Sequence, residues 1–254
     1  MFEREDTTER FFIETRGFDA EALKLGFSWL FEYARTHGHS VVGLVVASKR
    51  QIEALEPVLG AAATKQLLST SREVQVAGFT LKAMLESTRM PFEFTDGPIL
   101  AVWSRDDRLA KIDGLRAPAI CAITWSEGTI DEWKANWGPI DLKSGSAEKA
   151  LDISNPVVRQ ALIGLTASVN LSTGLTHPSD RSHAVAIFKL LVSGGEKYDP
   201  DEIRAWAVKN GWEAEDAAEL EDIARKIREG RNLRSDWRLG PEVLERWRSE
   251  AKAA

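Results

Sequence analysis

The feature that most constrains this chain is a switch of hydropathy rhythm near residue 140. Short apolar, β-branched runs alternate with amphipathic stretches before it, and only capped helical repeats follow. Strand and helix patterns in alternation imply a layered sheet with helical crossovers, whereas an unbroken helical series implies a bundle. A chain of 254 residues is long enough to bury two cores. The expected organisation is an α/β domain over 1–140, a linker over 141–154 containing Gly145 between two serines, and an all-α helical domain over 155–254.

Five strands are predicted, at 10–15, 41–46, 79–85, 99–103 and 119–125. The run at 41–46 is continuously apolar, as expected where helices cover both sheet faces, and 79–85 alternates with period two. Helical patterns at 19–37, 50–68, 107–112 and 129–136 separate most of them, so the fold class is α/β with a mostly parallel, five-stranded layered sheet and flanking helices. The Pro-containing stretch 86–96 reads as a loop.

Beyond the linker, Asn155-Pro156 caps a helix that ends near Ser172-Thr173-Gly174. Thr176-His177-Pro178 opens a second, Asp199-Pro200 a third that Asn210-Gly211 closes, 214–229 a fourth, and Gly240-Pro241 a fifth. The third and fourth helices invite a helix-turn-helix reading. Glu213, Glu215, Asp216 and Glu219 at the start of the fourth argue against it, because they would meet phosphate with like charge.

Composition narrows the function classes. At 43% hydrophobic and 28% charged, with no apolar run near membrane-spanning length, the chain reads as a soluble cytoplasmic protein with no membrane partner. Residues 1–6 are charged and lack a secretory apolar stretch. The single cysteine, Cys121, lies in a strand-like run and reads as a buried structural thiol. A net charge of −6, spread over both halves, speaks against a basic nucleic-acid-binding domain while leaving room for one basic patch.

Catalytic and cofactor motifs fail on spacing. The turn after the first strand has Gly17 alone where a dinucleotide fingerprint needs three glycines, and the stretch 60–65 lacks the second glycine of a phosphate loop and falls inside a helical pattern. His37 and His39 have no partners at metal spacing, so no metal and no cofactor is assigned.

Candidate positions follow from the rule that ligands of open α/β sheets sit beyond the carboxyl ends of the strands. Those ends offer Arg16; Ser48, Lys49 and Arg50; Ser104, Arg105 and Asp106; and Glu127, a rim suited to an anionic small molecule. Such turns are also polar simply because they meet water. In the helical half, His177, Asp180 and Arg181 are the candidate acid/base group, and helical steps back from Ile187 and Ala184 place His177 and Asp180 on the buried stripe. The same residues suit plain helix capping. Arg228, Arg231, Arg234 and Trp237 in the basic stretch 225–238 are candidates for contact with nucleic acid or an acidic partner. Tryptophans such as Trp29, Trp103 and Trp125 read as core or interface anchors.

Together these features predict a binding or regulatory protein, an α/β ligand- or partner-binding module joined to a helical interaction module. The alternatives are an enzyme acting on a nucleotide-like or other anionic small molecule at the strand ends, and nucleic-acid binding through 225–238.

Overall fold

The computed structural model describes residues 7–88, 90–171 and 173–253. The charged N-terminal stretch 1–6 and the helix-ending Ser172 lie outside the described residues, as do Arg89 and Ala254. The chain divides into two compact units, Met1–Ala150 and Leu151–Ala254.

The first unit runs β1 (Glu9–Ile13), α1 (Ala20–Thr36), β2 (Val41–Val46), α2 (Lys49–Ala54), α3 (Glu56–Leu59), α4 (Ala61–Leu67), β3 (Glu73–Val76), β4 (Phe79–Leu85), β5 (Ile99–Val102), α5 (Asp106–Asp113), β6 (Ala119–Ile123), α6 (Asp131–Trp137) and β7 (Ile140–Asp141). The sheet is mixed α/β in setting and mostly parallel, in the order β3-β4-β2-β5-β6-β1-β7. Among the strand pairs of the described residues, β3–β4 is antiparallel and the others are parallel.

The described residues thus form seven strands where five were expected. Both additions are edge strands too short to carry a clear hydropathy pattern. β3 reaches β4 through Ala77 (φ 52°) and Gly78 (φ 89°), a two-residue turn with both residues left-handed. An Ala at its first position hides the usual Asn-Gly signal. β7 contributes only two residues, paired to Phe11 and Phe12 of β1. The continuous helix expected over 50–68 is instead three short ones, because Pro57 starts a new segment and Gly60, at φ 81°, ends it.

Burial explains the strand patterns. β5 and β6 are buried along their whole length and β2 over all but Val41, whereas β4 alternates, its odd positions entering the core against α1–α4. That core packs Leu23, Leu30, Ile52 and Leu67 against Leu44, Leu81 and Leu100. On the opposite face, Leu109, Ile112 and Trp133 of α5 and α6, with Phe94 from the loop before β5, cover Val45, Ile99 and Ala101. β2 therefore exits to a helix on one face and its neighbour β5 to a helix on the other. Their carboxyl ends form the crevice at which open sheets bind ligands.

The first residues of the expected linker lie along the sheet edge. Leu142 N–H donates to the Phe12 carbonyl at 2.9 Å, Lys143 Nζ to the Glu14 carbonyl at 2.6 Å, and Ile140 bridges to Ala147.

The second unit contains α7 (Pro156–Ser168), a 3-10 turn (Gly174–Thr176), α8 (Pro178–Ser193), α9 (Pro200–Lys209), α10 (Ala214–Arg228) and α11 (Pro241–Ala253), with no strand among its described residues. Asn155 and Asp199 cap α7 and α9 through Val157 N and Asp201 N. α7 stops short of the expected 172, since Val169 turns extended. Phe188, Leu162, Leu165, Ile203, Leu220 and Trp247 belong to one core. Among the described residues, no helix is long and apolar enough to cross a membrane.

Candidate functional site

The crevice between β2 and β5 is built by three chain exits. Leaving β4, Glu86 is tied down by its N–H to the Val46 carbonyl at 2.9 Å, and its side chain is only 8% exposed. Leaving β5, buried Ser104 donates its hydroxyl to Glu86 Oε1 at 2.5 Å. Because β2 lies between β4 and β5, this bond passes across the carboxyl end of β2, where Ser48 stands. Arg108 Nε on α5 is 3.8 Å from Glu86 Oε2.

Beside this pair sits an aromatic shelf. Trp103 directly precedes Ser104 and holds φ 58°, a left-handed backbone that costs a bulky residue about 1–3 kcal/mol and persists only where its surroundings enforce it. Its N–H is fixed to the Ile123 carbonyl at 2.7 Å. Trp125, 50% exposed after β6, meets the Trp103 ring edge-on at 5.1 Å, and Phe18, 45% exposed after β1, lies tilted to it at 6.3 Å. Three neighbouring strands, β5, β6 and β1, thus each send one ring to the same edge. Thr15 and Thr124 brace the shelf by two bonds, Thr15 N–H donating to Thr124 Oγ1 at 2.9 Å and the Thr15 hydroxyl to the Thr124 carbonyl. Gly17 N–H adds a bond to the Trp125 carbonyl at 2.6 Å. Trp125 is thereby a surface ring and not a core residue, whereas Trp103 is buried.

The remaining rim residues divide into distinct groups. Arg16 and Glu127 form an exposed pair at 2.6 Å beside the shelf, and the Arg16 guanidinium holds the Glu127 carboxyl below its usual range. Ser48 caps no backbone N–H with its side chain, and Lys49 and Arg50 have no carboxylate partner among the described residues. Arg105 is exposed, 3.5 Å from Asp107. Asp106 turns away: its carboxylate accepts Trp133 N–H at 2.7 Å and Glu132 N–H at 3.4 Å, closing the first turn of α6. Burial pushes its pKa up, while those two backbone bonds pull it down. Glu86 and Phe18 were not foreseen. Glu86 falls in the Pro-containing loop, and Phe18 reads as the opening of a helix.

In the helical unit no hydrogen bond or ion pair joins the side chains of His177, Asp180 and Arg181 among the described residues. His177 is exposed rather than on the buried stripe and caps nothing with its side chain, because α8 begins at Pro178 and places Ser182 inward instead. Arg181 turns to Glu219 on α10 at 2.8 Å. In the same unit His183 is stacked on Trp237 at 4.2 Å with Nδ1 3.2 Å from Ser168 Oγ; burial lowers its pKa, opposed by the charge of Asp180. Acids accompany the basic stretch: Arg228 beside Asp199 at 3.8 Å, Arg231 beside Glu229 at 3.5 Å, Arg234 beside Asp236 at 3.8 Å. Trp237 is 43% exposed.

Two open depressions are also present, the second bordered by Arg228 of the basic stretch. One, about 370 Å³, is lined by Arg72, Glu73, Lys82, Met84 and Phe94 over the β3–β4 hairpin; the other, about 430 Å³, by Val192, Tyr198 and Arg228. No cluster of three or more His, Cys, Asp or Glu able to hold a metal occurs among the described residues. Residues 154–248 match a family model described as Domain of unknown function (DUF1889), which covers the helical unit from the cap of α7 into α11. No curated protein matches the chain.

Proposed function

We propose that residues 1–150 form a cytoplasmic binding domain whose ligand is a planar, anionic small molecule of nucleotide-like form, seated on the carboxyl edge of the sheet. Residues 151–254 are then a helical interaction domain. The observation that carries this reading is the Phe18–Trp103–Trp125 cluster, with Trp103 held in a costly left-handed conformation. Exposed rings bury their faces best against another flat ring, worth about 0.5–1.5 kcal/mol per pair beyond the area covered. Lys49 and Arg50 at the exit of β2 supply uncompensated positive charge two strands from Trp125, a span of about 10 Å at the usual strand spacing. That span suits a ring carrying an anionic group.

The test is calorimetric titration of the purified chain with nucleoside monophosphates and simple aromatic carboxylates. Binding that Trp125→Ala weakens at least tenfold supports the reading. Absence of binding across the panel, or binding indifferent to Trp125→Ala, overturns it. A second reading, an enzyme acting on the same ligand, is favoured by the 2.5 Å hydroxyl–carboxylate contact of Ser104 and Glu86. It requires conversion of a bound panel member that Ser104→Ala abolishes.

A further inference from the structure

The seat leaves one strong acceptor partly unused. Glu86 Oε1 takes the Ser104 hydroxyl at 2.5 Å, while Oε2 accepts no hydrogen bond among the described residues and has Arg108 Nε only at 3.8 Å, beyond hydrogen-bond reach. An ionised carboxylate is acceptor-only and its two oxygens accommodate about four donors, so this group has capacity to spare. It repels a phosphate or a carbonyl oxygen and attracts a hydroxyl. Its place matters as much: Ser104 follows Trp103 in the chain, so the carboxylate adjoins the ring seat along the same sheet edge.

We infer that the ligand is a hydroxyl-bearing nucleotide of the ribonucleoside monophosphate class, with its base on the aromatic shelf and a sugar hydroxyl donating to Glu86 Oε2. Glu86 is then the residue that sets specificity, and Ser104 positions it by occupying the other oxygen. The inference rests on the binding reading above. Aromatic carboxylates and dideoxynucleotides fill the ring seat but leave the acceptor unmet, and a hydrogen bond to a charged group changes affinity by roughly 10- to 100-fold.

The test compares the four common ribonucleoside 5′-monophosphates with their 2′,3′-dideoxy counterparts by titration calorimetry on the full chain. The wild type is expected to favour the tightest ribonucleotide over its dideoxy form at least tenfold. Glu86→Ala erases that ratio by weakening the ribonucleotide while leaving the dideoxy affinity within twofold. Glu86→Gln, which keeps an oxygen for Ser104 and so protects the fold, lowers the ratio at least threefold. A loss of stability alone would weaken both ligands together and leave the ratio intact. Equal binding of both forms by the wild type, or a ratio preserved in either variant, overturns the inference. If those ligands still depend on Trp125, the binding reading survives that result; if no panel member binds, both fall.

Discussion

Arg10 and Asp113 meet at 2.8 Å with their side chains only 8% and 9% exposed, joining the start of β1 to the end of α5. Trp133 Nε1 donates to the other Asp113 oxygen at 2.7 Å, and the Arg10 guanidinium lies 3.5 Å above the Trp137 ring. Removing one member strands a buried charge. Asp113→Ala is expected to cost about 3–5 kcal/mol, and the double change Arg10→Met with Asp113→Leu less, because it leaves no unpaired buried charge although the Trp133 indole N–H loses its acceptor. Urea unfolding midpoints of the single and double variants check the order.

Gly97 approaches β2 more closely than any side chain permits. A Cβ there would stand 2.0 Å from the Val41 carbonyl oxygen, an atom held by the strand itself. Gly97→Ala therefore forces the loop off β2, at a cost of about 1–3 kcal/mol or more. Thermal melts should show the loss, and Gly60→Ala is no control, since its φ of 81° carries a separate backbone penalty.

Ala77 occupies the first left-handed position of the β3–β4 turn at φ 52°. A left-handed backbone costs an alanine about 1–2 kcal/mol, and Asn carries less of that penalty. Ala77→Asn is expected to stabilise the protein by about 0.5–1 kcal/mol, read as a higher urea midpoint at unchanged slope.

Burial holds the His183 imidazole below its ordinary value of 6.5, with Asp180 opposing. Below pH 6.5 the unfolded chain takes up a proton that the native chain resists, so the contribution of this group is full above that pH and drains as pH falls through the folded value. Melting temperature is expected to drop between pH 7.5 and 5.0, and His183→Gln to reduce the drop. A slope unchanged by His183→Gln would assign the acid sensitivity elsewhere.

Legibility in the sequence followed how strongly each element is written into local pattern. β2 and β4 were legible because six apolar residues in a row, or strict alternation, have few other solutions, and the caps at Asn155 and Asp199 placed the starts of α7 and α9. β3 and β7 were not, because edge strands of four and two residues take their identity from the neighbour they pair with. The candidate site was half legible. Ser104 was named from its place after a strand, but its partner Glu86 belongs to a loop separated from it by 18 positions, and only the folded sheet brings the two together. Trp103 and Trp125 are the last residues of the strands predicted at 99–103 and 119–125. That one is forced left-handed and the other exposed depends on the hydrogen bonds of the crest, which no hydropathy pattern records.

The pairing of Ile140 and Asp141 with β1 bears on where the chain tolerates being cut. A fragment ending at residue 139 would bare the backbone donors and acceptors along one flank of Phe11 and Phe12, an open template for joining other chains edge to edge. A fragment carried on to Ala150 keeps that flank sheathed.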